Sequence, residues 1–202
     1  MRISRSEALA AVVAAVAALL VVPTAEAEPW GRPGPYVGLS FAWPATVGVD
    51  SDDHDGDFGV GYGGALHVGQ RLHPRFAVEG VAEFTRATGF GSALGQALTG
   101  GDKADELTST ALTVNGKFYV FTSRVQPFLL AGVGGGVTHF ERSNSRTDDT
   151  IGYFAGRLGI GLDLYATPAV VIGFELSGGV GVGPDDASYA QMAPRLGLSY
   201  RF

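Results

Sequence analysis

Two stretches of this 202-residue chain concentrate side chains that could do chemistry. Residues 50–57 read Asp-Ser-Asp-Asp-His-Asp-Gly-Asp. Asp53, Asp55 and Asp57 set carboxylates at alternate positions with Gly56 at the bend, part of what a calcium loop uses to wrap oxygen ligands round an ion. Tyr62 stands at the expected twelfth position, where a bidentate glutamate would complete such a loop. The expectation is therefore a solvated acidic loop whose three aspartates are weak divalent-cation candidates. The second stretch is His139-Phe-Glu141-Arg-Ser143. It offers an imidazole, a carboxylate and a hydroxyl, but nucleophilic catalysis needs them within hydrogen-bond reach of one another, and the spacing does not establish that. We read it as a polar cluster at a strand rim. His67 reads as a packed, satisfied histidine. The run Gly132-Val-Gly-Gly-Gly136 is no nucleotide loop, because no helix follows to hold a phosphate. No catalytic residue and no cofactor is expected.

A third set is defined by regularity. Glu79, Glu83, Lys117, Arg157, Asp163, Glu175, Arg195 and Arg201 all sit on the opposite phase from apolar neighbours. The last eleven residues show the pattern most clearly. Met192, Pro194, Leu196, Leu198, Tyr200 and Phe202 alternate with Ala193, Arg195, Gly197, Ser199 and Arg201. Side chains alternate with period two along a β-strand, so each such segment has one apolar face and one polar face.

Eight segments carry this division: about 36–43, 60–72, 76–86, 110–121, 126–140, 152–165, 169–182 and 192–202. For the fifth, the predicted outward set is Leu129, Ala131, Val133 and Val137. The connections after the first, third, fifth and seventh segments are polar loops. Those after the second, fourth and sixth are tight turns. Antiparallel neighbours put alternate connections at opposite ends, so all loops fall at one end and all turns at the other. That asymmetry, with strands of about ten residues, fits a tilted transmembrane strand set with short periplasmic turns and longer external loops. The expected fold is all-β, an eight-stranded antiparallel up-and-down transmembrane β-barrel with both termini periplasmic. Eight strands leave an interior just wide enough for side chains to fill, so the eight charged residues become a polar lumen core rather than a channel lining. A soluble barrel would place the apolar face inside instead. The aromatics Trp30, Tyr36, Trp43, Phe76, Phe84, Phe118, Phe121, Tyr165, Tyr200 and Phe202 fall mainly near segment ends, where interfacial girdles form.

Residues 1–27 have the form of a cleaved export signal: a basic start, an apolar run over 8–22 and a small-x-small site at Ala25 and Ala27. The run is shorter than the roughly 20 residues a spanning helix needs. Residues 28–202 then form one barrel domain. The signal carries Arg2, Arg5, Glu7 and Glu26, so its loss leaves the net charge at −6, which argues against a nucleic-acid partner. There is no cysteine, so closure of the barrel and the bilayer must supply what crosslinks supply elsewhere. The 31 glycines disfavour helix and suit tight bends and close backbone approach.

The chain resembles the OmpA/OmpX-type, Opa-like family of small eight-stranded outer-membrane β-barrels. The resemblance is carried by the signal segment, Tyr36-Val-Gly-Leu, Phe76-Ala-Val-Glu-Gly80, Gln126-Pro-Phe-Leu-Leu-Ala-Gly-Val-Gly134 and Arg195-Leu-Gly-Leu-Ser-Tyr-Arg-Phe202. It implies an outer-membrane location, and Leu196, Leu198, Tyr200 and Phe202 as a signal read by the outer-membrane assembly machinery. The expected partners are outer-membrane lipid, that machinery, and a surface ligand or neighbouring cell met through the loops, with the protein a monomer. Some barrels of this kind modify lipid A. The deacylase type uses a His-x-Ser pair, and here the residue two after His139 is Glu141, so the match fails at the nucleophile. The expected role is non-enzymatic: envelope integrity or surface contact. The alternatives are a lipid A-modifying enzyme and a narrow pore.

Overall fold

The structure is a computed structural model that describes residues 30–49, 58–89, 106–141, 149–183 and 188–202. Its strands are β1 (Gly34–Ala42), β2 (Ala45–Val49), β3 (Phe58–His73), β4 (Phe76–Gly89), β5 (Glu106–Tyr119), β6 (Val125–Glu141), β7 (Asp149–Tyr165), β8 (Val170–Val182) and β9 (Ser188–Arg201). β1 and β2 form a single stave. Both pair with β3 on one side and β9 on the other. Between them lie Trp43 and Pro44, and proline has no N–H to give the ladder. The break is bridged by Trp43 N–H donating to the Pro194 carbonyl at 3.0 Å and Gly61 N–H donating to the Pro44 carbonyl at 2.9 Å. The first stave, expected to end at residue 43, therefore continues to Val49.

Every pairing is antiparallel, and the first stave closes on the last, giving a closed eight-stranded barrel. The partner chain Leu39, Leu66, Ala82, Leu112, Gly135, Phe154, Val182, Ser188 goes once round and returns to the first stave at Val49, ten residues above its start. Ten residues rise about 33 Å along a strand, against about 38 Å for eight inter-strand spacings, so the strands tilt by about 40°. At that tilt about ten residues cover the roughly 25 Å apolar band of a membrane barrel. β6 and β7 run to 17 residues, longer than the ten or so that cross the band, because they continue past it at the loop end. There the outward positions turn polar, as at Thr110, His139 and Thr150, all exposed.

Outward positions in the band are apolar and exposed, among them Leu39, Leu66, Leu112, Leu158, Ile160 and Leu198. The fifth stave faces as predicted, with Leu129, Val133 and Val137 outside. Exposed Phe76, Phe118, Phe121, Tyr200 and Phe202 gather near the turn end, and Phe41, Trp43, Tyr62, Phe84 and Phe154 near the loop end. Three of the expected girdle aromatics lie elsewhere. Tyr36 and Tyr165 are on the inward phase and buried. Trp30 sits edge-on to Tyr165, with ring centroids 5.9 Å apart. Their closeness to strand ends was a poorer guide than the parity of their positions.

Much of the glycine load answers to these rings. Tyr36 lies directly opposite Gly69, Phe128 opposite Gly161 and Tyr153 opposite Gly136. A Cβ on Gly69 would stand 2.3 Å from Tyr36 Cζ, and one on Gly161 2.2 Å from Phe128 Cζ. Each ring covers the bare backbone across the strand pair, which fixes the ring and protects the glycine.

Candidate functional site: the polar lumen

The inward phase of the barrel wall delivers side chains to the lumen in three tiers. Nearest the turns, Arg71 of β3 donates to Gln126 Oε1 at 2.7 Å and to the Tyr165 hydroxyl at 2.9 Å. Its guanidinium lies over the Tyr119 ring at 4.0 Å. Arg201 of β9 donates to the same Tyr165 hydroxyl at 2.7 Å. The Tyr119 hydroxyl donates to Asp163 at 3.0 Å. Beneath this tier the lead-in at residues 30–33 crosses the mouth. The Trp30 carbonyl accepts from Gln126 at 2.9 Å and from Arg201 at 3.0 Å, and the Arg32 carbonyl accepts a second bond from Arg201. Gly31 packs against the turn residues Thr122 and Pro74. The turn end of the lumen is thus closed by backbone, each carbonyl capped by a buried cation.

The middle tier centres on Glu79 of β4, which is fully buried. Lys117 pairs with its Oε2 at 2.9 Å, and the Tyr36 hydroxyl donates to the same oxygen at 2.9 Å. Asn115 donates to Oε1 at 3.4 Å. Lys117 also lies over the Phe128 ring at 4.7 Å. His67 Nε2 is 2.7 Å from Ser40 Oγ, and its Nδ1 is 3.8 Å from Glu79 Oε1. The order serine, histidine, carboxylate is that of a relay, but 3.8 Å is beyond a hydrogen bond. Both Glu79 oxygens already hold closer donors, so this is a hydrogen-bonded core histidine.

The tier nearest the loops is a quartet from four staves: Glu83 of β4, Arg157 of β7, Glu175 of β8 and Arg195 of β9. Arg195 Nη2 donates to Glu83 at 2.6 Å, and Arg157 Nη2 donates to Glu175. Arg157 Nη1 lies 3.5 Å from Glu83, and Arg195 Nε lies 3.6 Å from Glu175. Each cation therefore faces both anions. Desolvating these four charges is costly, and mutual pairing in a dry interior is what offsets that cost. On the loop side of the quartet is a recess of about 40 Å³, walled by small and hydroxyl side chains.

All eight charged residues singled out from the sequence lie on the inward phase: Glu79 and Glu83, Lys117, Arg157 and Asp163, Glu175, Arg195 and Arg201. They fall into separate tiers rather than one network. The sequence set omitted Arg71, Gln126, Asn115 and Tyr165, which strand parity alone could have supplied. It also omitted the Trp30 and Arg32 carbonyls, which no side-chain pattern could reveal. His139 faces outward at the rim, with Nδ1 2.8 Å from Thr150 Oγ1 of β7. Glu141 closes β6, and Ser143 lies outside the described residues. Asp53, Asp55 and Asp57 also lie outside them, and among the described residues no three metal-ligating side chains cluster. Leu196 and Leu198 stand exposed on β9. Tyr200 packs edge-on against Phe202 with centroids 5.2 Å apart, and Phe202 N–H donates to the Pro35 carbonyl at 3.1 Å.

The family model for the outer membrane protein beta-barrel domain matches residues 12–202. Among solved structures, Neisserial surface protein A aligns with a TM-score of 0.61 at 13% identity, covering 83% of this chain and 97% of that one. Ail, the attachment invasion locus protein of Yersinia pestis, aligns with a TM-score of 0.50 at 17% identity, covering 83% of this chain and 97% of that one. At such identities the likeness is one of fold. No curated protein matches the chain.

Proposed function

The chain belongs to the outer membrane protein β-barrel family, and from that premise we propose that it is a non-enzymatic barrel with a sealed lumen, serving envelope integrity or surface contact through its loops. The observation that carries this reading is the stack of three side-chain tiers over a closed turn-end mouth. A water path along the axis would have to displace the Arg71–Gln126–Tyr165 cluster, the Glu79–Lys117 pair and the quartet in turn. In this reading residues 1–27 are the export signal and residues 28–202 the mature barrel. The turns and both termini face the periplasm, and the polar loops face outward. Leu196, Leu198, Tyr200 and Phe202 guide delivery by the assembly machinery, and the protein works as a monomer in lipid.

Two observations favour this reading over its rivals. The tiers oppose a narrow pore. The His139–Thr150 bond gives the rim histidine a structural partner on the next stave, which weakens the case for a lipid A-modifying enzyme. Ail is named for attachment and invasion, and Neisserial surface protein A for its surface position, so loop-borne contact is a use that fits this architecture.

Planar-bilayer recording on the refolded protein tests the sealed lumen. The expected trace is flat, and a steady large conductance would overturn the proposal. Lipid A from cells overexpressing the protein should be chemically unchanged; any new lipid A species that depends on His139 would instead establish the enzyme reading.

A further inference from the structure

The quartet has an imbalance that its own members do not resolve. Arg157 Nε and Arg195 Nη1 are buried without a hydrogen-bond partner. So is the Thr113 hydroxyl of β5. Both arginines are more than nine-tenths buried. All three residues line the recess on the loop side of the quartet. Unpartnered buried donors are uncommon and costly, and a guanidinium N–H is more costly than a neutral one.

The inventory is one-sided. Arginine offers donors only. The carboxylates that could serve as acceptors, Glu83 and Glu175, are already taken by the opposite edges of the same two guanidiniums. Among the described residues of this recess no side-chain carboxylate oxygen is left buried and unsatisfied. An occupant that balances the site must bring acceptors and need few donors in return. The volume of about 40 Å³ holds about three waters, or one small oxyanion head in their place.

The wall is suited to the same task. Thr85, Ser109, Thr113, Tyr153, Ser177 and Gln191 ring the recess with hydroxyl and amide groups. Thr85, Tyr153, Ser177 and Gln191 lie on the loop side of the quartet residue carried by their own stave, Ser109 lies on the loop side of Ala111, the partner of Glu83, and Thr113 stands at the floor, so the recess opens toward the loop end. The bulky inward side chains Tyr36, Tyr119, Phe128 and Tyr165 lie in the lower tiers, and Tyr153 is the large ring in the wall of the recess. The upper lumen is therefore a cup with a charged floor, distinct from the sealed stack beneath it.

We propose that this cup is a binding site for a small oxyanion, a phosphate or carboxylate group whose oxygens accept from Arg157 Nε, Arg195 Nη1 and the Thr113 hydroxyl. Charge-assisted bonds to two guanidiniums supply the affinity. Glu83 and Glu175 hold both guanidiniums in place and limit the site to a weakly held anion, because their own charge opposes it. The oxyanion arrives free in solution or as a substituent on a larger surface molecule whose remainder stays among the loops.

The test is an NMR titration of the arginine Nε–Hε signals in the refolded full mature chain. One arm uses inorganic phosphate, a second uses a hexose monophosphate, and sodium chloride of matched ionic strength is the control. A saturable shift of the Arg157 signal in the first arm identifies a free oxyanion. Saturation in the second arm alone identifies a carried one. Two variants leave the four charges intact: Thr113→Val removes a donor, and Ala111→Leu fills the cup from its wall. Each should weaken binding about tenfold, the effect of one charge-assisted contact. No saturable shift in either phosphate arm overturns the proposal. So does an equal response to chloride, or undiminished binding by both variants.

Discussion

Arg195 and Glu83 meet at 2.6 Å across the lumen, although 112 positions separate them in the chain and their staves are not neighbours in the sheet. The contact ties β9 to β4 through the interior rather than through the wall. Its Arg157 and Glu175 partners extend the tie to β7 and β8. Removing one member leaves a buried charge uncompensated. Glu83→Ala should therefore destabilise the barrel by about 3–5 kcal/mol in equilibrium urea unfolding from detergent. The double variant Glu83→Leu with Arg195→Leu should cost less than the sum of the two single changes. Strict additivity would mean that the pair is not coupled.

The ring-over-glycine pairs predict a sharp contrast among glycines. Gly69→Ala and Gly161→Ala drive a methyl into Tyr36 and Phe128 and should each cost about 1–3 kcal/mol. Gly156→Ala meets nothing within 4 Å and should change stability by no more than about 0.5 kcal/mol. The same unfolding assay reads all three, and equal losses would refute the packing explanation.

Depth in the bilayer should be measurable at two outward positions of similar exposure. Ile160 lies in the middle of the apolar band and Val182 at its loop-end limit; they are 57% and 60% exposed. Ile160→Arg should cost about 2–4 kcal/mol and Val182→Arg about 0–1 kcal/mol when folding is measured into lipid vesicles. In detergent micelles the gap should narrow. If the ranking were reversed, the placement of the band on the barrel would be wrong.

The proposed assembly role of Phe202 can be measured apart from stability. Its N–H bond to Pro35 and the bond from Arg32 to its carbonyl, both 3.1 Å, lie at the edge of the barrel. Deleting it should lower refolding yield in vitro only slightly. In cells, the amount of heat-modifiable protein in the outer membrane should fall severalfold. Equal membrane levels of parent and variant would remove the assembly role.

The division of each stave into an apolar and a polar face was legible because strand parity is local: Leu112 and Thr113 need only their neighbours to declare their sides. Pairing inside the lumen was not. Which inward residue meets which depends on the ten-residue stagger, a property of the closed ring that no single segment carries. Glu83 finds Arg195, and Asp163 finds Tyr119, only after that stagger is set. β2 was hidden because Pro44 interrupts the run that would have extended the first segment. The loop-end extensions of β5, β7 and β9 were underestimated because, past the bilayer, a strand has no need of an apolar face. The carbonyls of the lead-in at residues 30–33 close the mouth. Backbone acceptors carry no sequence signature.

The stave made of β1 and β2 hydrogen-bonds to β9 along its outer edge, from Tyr36 with Arg201 to Val49 with Ser188. The first strand to be synthesised thus waits for the last. Until β9 arrives, one edge of β1 and one edge of β9 carry unpaired backbone groups, which hydrocarbon does not tolerate. Partial barrels are accordingly poor resting states in a bilayer. The closing contact spans nearly the whole barrel sequence, so its entropic cost falls late and on a single step. Insertion and ring closure should therefore proceed as one concerted event.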